Sequence, residues 1–290
     1  MEKKLIDVSK HNGTINWKKV KADGIEGVIV RAGYGRFASQ KDTCFESNYA
    51  GARAAGLIIG AYWYSYAISE ATARAEAEAF LEVIRGKSFE LPVYIDIEDQ
   101  CQLKLSKAEC TAITDAFCGV MEKAGYFCGV YSFDSFFASH LNADIPKKYS
   151  VWAARVENQK PTYVSEYDVW QYSWKGNIDG ITGHVDMNVC YKDFPSIMFE
   201  HGLNNCTKNT PETVLGAVGE PIQTEPGEMS DAPVDEHPVN TAPNDRQETV
   251  IENTEYTVTA YRHHVSEEDS VRLVNALKAL GLSVVKKAME

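Results

Sequence analysis

A chain of 290 residues, 44% of them hydrophobic, is long and apolar enough for a full core, and its net charge of −12 argues against a nucleic-acid partner. No run approaches the roughly 18 apolar residues of a membrane span. Seven cysteines (Cys44, Cys101, Cys110, Cys118, Cys128, Cys190, Cys206), an odd number without CxxC spacing, read as buried thiols and not as a disulfide framework or zinc site.

Met1-Glu2-Lys3-Lys4 leads into only a few apolar residues before Asp7. That is not a signal-peptide pattern, so the chain is expected to be made in the cytoplasm. Residues 5–9 read as a short strand with Asp7 inside it, and His11-Asn12-Gly13 is turn chemistry. Asn16 is placed to cap a short helix that runs to Ala22. Residues 27–33 form a second buried strand containing Arg31, and 35–43 are polar and irregular. Phe45, Tyr49 and Ala52 have helical spacing, closed by Gly56. Residues 57–66 are a third strand that turns aromatic at its end, with Tyr62 and Tyr64. Ser69 begins a long helix over 71–84, rich in Ala and Glu.

Residues 91–99 are the fourth strand, and it ends in acids. Val93, Ile95 and Ile97 alternate with Tyr94, Asp96 and Glu98, so the latter three share one face. Two acids on one face at the end of an apolar strand are costly unless they bind something or do chemistry. A strand end meeting solvent is the equally open reading on spacing alone. Ser106 with Glu109 three residues on is a capping box, and the helix it opens runs to about Gly125. Residues 128–132, 150–155, 168–174 and 183–189 are strands five to eight, and they carry Tyr131, Trp152, Gln171 and Asp186. Five strands alternating with helices favour a parallel sheet, the last three have short loops, and eight strands can close on themselves. The expected fold is α/β: an eight-stranded, TIM-like barrel that lacks helices over its last third, with function at the carboxyl ends of the strands.

Beyond residue 204 the composition changes. Residues 205–250 are rich in Pro and acids and read as a stiffened linker. Residues 251–290 recover a strand–helix–strand pattern, with Ser266-Glu267-Glu268-Asp269 at the helix start. A βαβ module that small is below the size that usually folds alone, so it is expected to self-associate into a homo-oligomer, to dock on the barrel, or to be one repeat of a module.

Five stretches then fall in a telling order: Asp7-Val8-Ser9 with Asn12-Gly13; Gly60-Ala61-Tyr62; Tyr94-Ile95-Asp96-Ile97-Glu98; Trp170-Gln171-Tyr172-Ser173; and Gly180-Ile181-Thr182-Gly183-His184-Val185-Asp186-Met187-Asn188. Over about residues 4–195 the chain resembles the glycoside hydrolase family 25 muramidases, the Chalaropsis-type lysozymes. The resemblance implies an irregular (β/α)5(β)3 barrel that cuts the β-1,4 bond between N-acetylmuramic acid and N-acetylglucosamine in peptidoglycan, without metal or cofactor. Glu98 stands at the family's general-acid position, Asp96 matches its partner acid, and Asp7 and Asp186 match the other two acids. Asp96 and other nearby acids are expected to disfavour ionisation of Glu98. Acids two apart on a strand project side by side, unlike a pair flanking a sugar. A substrate-assisted, retaining route is therefore expected, with direct attack by Asp96 or an inverting water as alternatives.

Tyr62, Tyr64, Tyr131 and Trp152 are candidates to stack on sugars or to be ordinary core. Arg31 and Gln171 are candidates for substrate contact or for a structural pair. The loop over 34–42 departs from many relatives, which carry Glu-Gly there. The layout of barrel, linker and small module fits a bacteriophage endolysin, acting on the wall after release, with the small module binding wall polymer or joining chains together. A chitinase-like hydrolase and a non-catalytic wall-binding protein are the competing readings.

Overall fold

Caps and alternation set the local structure. Asn16, Ser69 and Ser106 each accept a backbone N–H at the start of a helix, as their side-chain chemistry favours. The computed structural model describes residues 2–156 and 159–208. The terminal module expected over 251–290, and all of the expected linker after residue 208, lie outside the described residues.

Eight strands close into a barrel in chain order: β1 Lys3–Val8, β2 Gly27–Tyr34, β3 Ile58–Tyr64, β4 Val93–Asp96, β5 Cys128–Phe133, β6 Ser150–Ala154, β7 Val169–Gly176 and β8 Val185–Cys190. Helices α1 Trp17–Ala22, α2 Phe45–Ala54, α3 Glu70–Ile84 and α4 Lys107–Lys123 connect the first five strands, and α5 Asp134–His140 with α6 Ile145–Lys148 leads to β6. The architecture is the α/β barrel with five helical crossovers and three strands joined more directly. Strands β1 to β7 pair in parallel, whereas β8 is antiparallel to both β7 and β1. The β7–β8 connection is too short for a crossover, so β8 must reverse. Its first residues therefore lie at the same rim as the last residues of the other seven.

Alternation divides the core in two. Ile6, Val8, Val28, Val30, Val93, Ile95 and Val130 point outward and pack with Phe45, Ala77, Phe80 and Phe117 of the helices. Leu5, Ile29, Tyr94, Tyr131, Trp152 and Val169 fill the barrel interior. Gly129 makes room there for Tyr94: a Cβ would run into the Tyr94 ring and lie 2.9 Å from the Ser150 carbonyl.

Two features were not legible beforehand. Strand β4 ends at Asp96, so Glu98 belongs to the loop beyond it and not to the strand face assigned from alternation. Local turn bonds end the strand: Cys101 N–H donates to Asp99 Oδ1, and Asp99 N–H donates to the Gln102 side chain, both at 2.9 Å. After β8, helix α7 Phe194–His201 leads to Asn204, which is fully buried. Asn204 Nδ2 donates to the Leu91 carbonyl at 2.8 Å and its Oδ1 accepts the Phe127 N–H at 2.6 Å. Its φ of 54° is one that asparagine tolerates. Cys206 is also buried, so the packed unit runs past residue 204.

Candidate active site

The four acids converge on one rim of the barrel from β1, β4 and its following loop, and β8. Register makes the first pairing: Asp7 lies directly opposite Asp186 across the antiparallel β1–β8 ladder. The second is in β4, where Asp96 lies between Tyr64 of β3 and Tyr131 of β5. Asp7 and Asp96 are 6% and 5% exposed. Carboxylates enclosed this far, and this close to each other, keep their protons more readily than in water.

Asp7 is the most heavily braced of the four. Its Oδ2 accepts hydrogen bonds from Gln171 Nε2 at 2.9 Å and Asn188 Nδ2 at 2.8 Å. A further hydrogen bond links it to Asp186. Burial, then the Asp186 charge, pushes the Asp7 carboxyl up to about 8, against the pull of the two amides. Burial raises Asp186 to about 6, and the bond from Asp7 opposes that rise. Both carboxyls of this facing pair are therefore held above the ordinary carboxylate range, and they titrate as a pair.

Glu98 is partly buried and pushed up to about 7, first by burial, then by Asp186 and Asp99. The direction agrees with the sequence expectation: Asp186 from β8 and the next residue, Asp99, act on Glu98, and so does Asp96, whose repulsion with Glu98 is mutual. Asp96 is itself held well above the usual carboxylate range, by burial first and then by Glu98 and Asp7, with Arg31 pulling the other way. Asp96 Oδ1 and Glu98 Oε2 are buried and have no hydrogen-bond partner among the described residues. An unpaired buried carboxylate oxygen costs a few kcal/mol, so two together mark a place prepared for a ligand.

The other candidates take distinct places. Trp152, 1% exposed, is enclosed by Tyr62, Tyr94 and Tyr131, with ring centroids 5.9, 5.2 and 4.4 Å away, and forms the floor of the site. Its Nε1 donates to Asn188 Oδ1 at 2.7 Å. Tyr131 is also floor: its hydroxyl donates to Gln171 Oε1 at 2.9 Å. Gln171 thus bridges Tyr131 and Asp7. Arg31 turns to Asp42, with Nε and Nη2 both 2.7 Å from Oδ2. Tyr62 and Tyr64 are half-buried at the rim, and the Tyr64 hydroxyl donates to Asp99 Oδ2 at 3.2 Å. Tyr66 and Trp174 add exposed rings at the mouth.

Sequence reading passed over Asn188, Asp42 and Asp99. Asn188 was legible only as the fourth residue of a Val-Asp-Met-Asn run, two after Asp186 and hence on the same strand face. Among the described residues no group of three His, Cys, Asp or Glu side chains is placed to hold a metal ion, and no helix is long and apolar enough to cross a membrane.

Comparison with known proteins places this geometry in context. The family model for glycosyl hydrolases family 25 matches residues 6–181. The autolytic lysozyme of Clostridium acetobutylicum is 31% identical over 185 residues, 64% of this chain and 55% of that protein. The crystal structure of the CTP1L endolysin superposes with a TM-score of 0.60 at 31% identity, covering 68% of this chain and 69% of that one. The modular autolysin LytC from Streptococcus pneumoniae, solved with a synthetic peptidoglycan ligand, gives a TM-score of 0.57 at 31% identity, covering 66% of this chain and 47% of that one. The chain thus spans about half the length of two of these relatives.

Proposed function

The chain belongs to glycosyl hydrolases family 25, and from that premise we propose that its barrel is a muramidase, cleaving the β-1,4 bond between N-acetylmuramic acid and N-acetylglucosamine in peptidoglycan. The observation that carries the reading is the pair of unpartnered buried oxygens, Asp96 Oδ1 and Glu98 Oε2, at the rim. Glycoside cleavage needs a proton for the leaving oxygen and support for an oxocarbenium-like carbon. Glu98, poised near neutrality and with one oxygen free, is the proton donor. Asp96 is the supporting acid, orienting the 2-acetamido group so that the substrate supplies its own nucleophile. Asp186 and Asp7 stand together on the opposite wall as one coupled acidic pair, with Asp7 braced by Gln171 and Asn188. Tyr62 and Tyr64 contact the glycan. Arg31 acts through Asp42, Gln171 through Asp7, and Trp152 and Tyr131 support the floor. The enzyme acts on the bacterial wall, as an endolysin or autolysin would, with the terminal segment binding wall or joining copies of the chain.

Mass spectrometry of digested peptidoglycan tests the bond: new reducing ends on muramic acid are expected, and reducing glucosamine would reject it. Clearing of purified walls by the parent but not by Glu98→Gln separates an enzyme from a wall-binding barrel. Retention is expected, so NMR of fresh product showing the inverted anomer first would reject substrate assistance.

A further inference from the structure

The sheet holds Asp96 on both sides but does not reach Glu98. The last residue it grips is Ile97, whose N–H donates to the Tyr131 carbonyl at 3.1 Å and whose carbonyl accepts from Ser132 Oγ at 2.6 Å. On the far side of Glu98 the backbone is held by a side chain. Asp99 N–H donates to Gln102 Oε1 at 2.9 Å, and Gln102 Nε2 donates to the carbonyls of Ser65 and Ala67 at 3.1 and 3.2 Å. Gln102 is 0% exposed. The loop it reaches is fixed in turn from α3: Ser65 Oγ donates to Glu76 Oε2 at 2.6 Å and Tyr66 N–H to Glu76 Oε1 at 3.0 Å. Glu98 Oε2 has no partner of its own, so backbone placement decides where that oxygen points.

We propose that Gln102 is a positioning residue for Glu98: its amide ties the Glu98–Asp99 turn to the loop after β3 and so sets where the proton donor sits. This rests on the assignment of Glu98 as that donor. The join needs one acceptor for an N–H and two donors for carbonyls on a single neutral side chain, which is the inventory of an amide. Left unpaired at this depth, any of these groups is penalised, so the two loops close in one register. The same tie keeps Asp99 beside Glu98, and Asp99 also takes the Tyr64 hydroxyl at 3.2 Å. Loosening it withdraws both enclosure and a neighbouring charge from Glu98, and the two losses act in the same direction.

The test uses the full chain carrying Gln102→Met, which keeps length but removes the amide, or Gln102→Asn, which keeps the amide one methylene short. Folding is checked by circular dichroism, and kcat and KM are measured on soluble peptidoglycan oligosaccharides across pH. Each variant is expected to lose about 10- to 100-fold in kcat, as for a misplacement of about 1 Å, with KM nearly unchanged. The alkaline limb of kcat/KM should move to lower pH. A folded variant with the parent's kcat and pH limb overturns the proposal. If Gln102→Met does not fold, Gln102→Asn decides by the same criteria. Glu98→Gln is run alongside. If that variant is as active as the parent, the donor assignment itself fails. If it is inactive while the Gln102 variants match the parent, only the positioning role fails.

Discussion

Replacing Glu98 by glutamine should remove activity and add stability, and the second effect should depend on pH. In the folded chain burial, Asp186 and Asp99 push Glu98 from 4.5 up to about 7. The folded state therefore keeps a proton that the unfolded chain releases near its ordinary value. Between those values the folded state binds more protons, so stability falls as pH rises, and the loss is complete above about pH 7. The gap from 4.5 to about 7, at about 1.4 kcal/mol per pH unit, gives an upper bound of about 3 kcal/mol. The side chain keeps some contact with water, which reduces the expectation to on the order of 2 kcal/mol. Glutamine has no proton to lose and avoids this penalty. Urea unfolding of parent and variant at about pH 4.5 and about pH 8 reads it directly. The stability difference should grow by about 2 kcal/mol in favour of the variant between the two conditions, while wall clearing drops at least about 100-fold. A difference that stays constant with pH would refute the burial-and-charge account of Glu98.

Other substitutions probe the surroundings. Asp186→Asn removes one of the charges that raise Glu98, so the alkaline limb of kcat/KM, expected near 7 in the parent, should move to lower pH; an unmoved limb would show that Asp186 does not act on Glu98. Asn188→Leu strips a donor from Asp7 and an acceptor from Trp152 at a site with no solvent access. It should cost about 2–4 kcal/mol in urea unfolding, and a loss under about 1 would contradict the bridging role. Arg31→Met leaves the fully buried Asp42 side chain without its cation. A loss of about 3 kcal/mol, at the low end for a broken buried pair because Lys10 N–H and Cys44 N–H still bond Asp42, is expected in the same assay.

Period-two alternation and helix caps were enough to give eight strands and the long helices, because each is a property of neighbouring residues; the four acids came from the resemblance carried by five ordered stretches. Tyr94 and Asp96 face inward as alternation requires, and Ser106 with Glu109 forms the capping box its spacing predicts. Long-range closure decided the rest. The reversal of β8 brings Asp186 against Asp7, so two acids far apart in the chain become one coupled pair held above the ordinary carboxylate range. Glu98 lies past the strand end, ahead of a turn closed by the side chains of Asp99 and Gln102, which alternation along the strand does not reveal. Asn188, two residues past Asp186, became a bridge only when the barrel closed and brought Trp152 and Asp7 to its two ends. Side-chain type and spacing fix what a residue is able to do, whereas burial and the partners across the barrel set its charge and its free atoms, and those depend on register that no single strand contains.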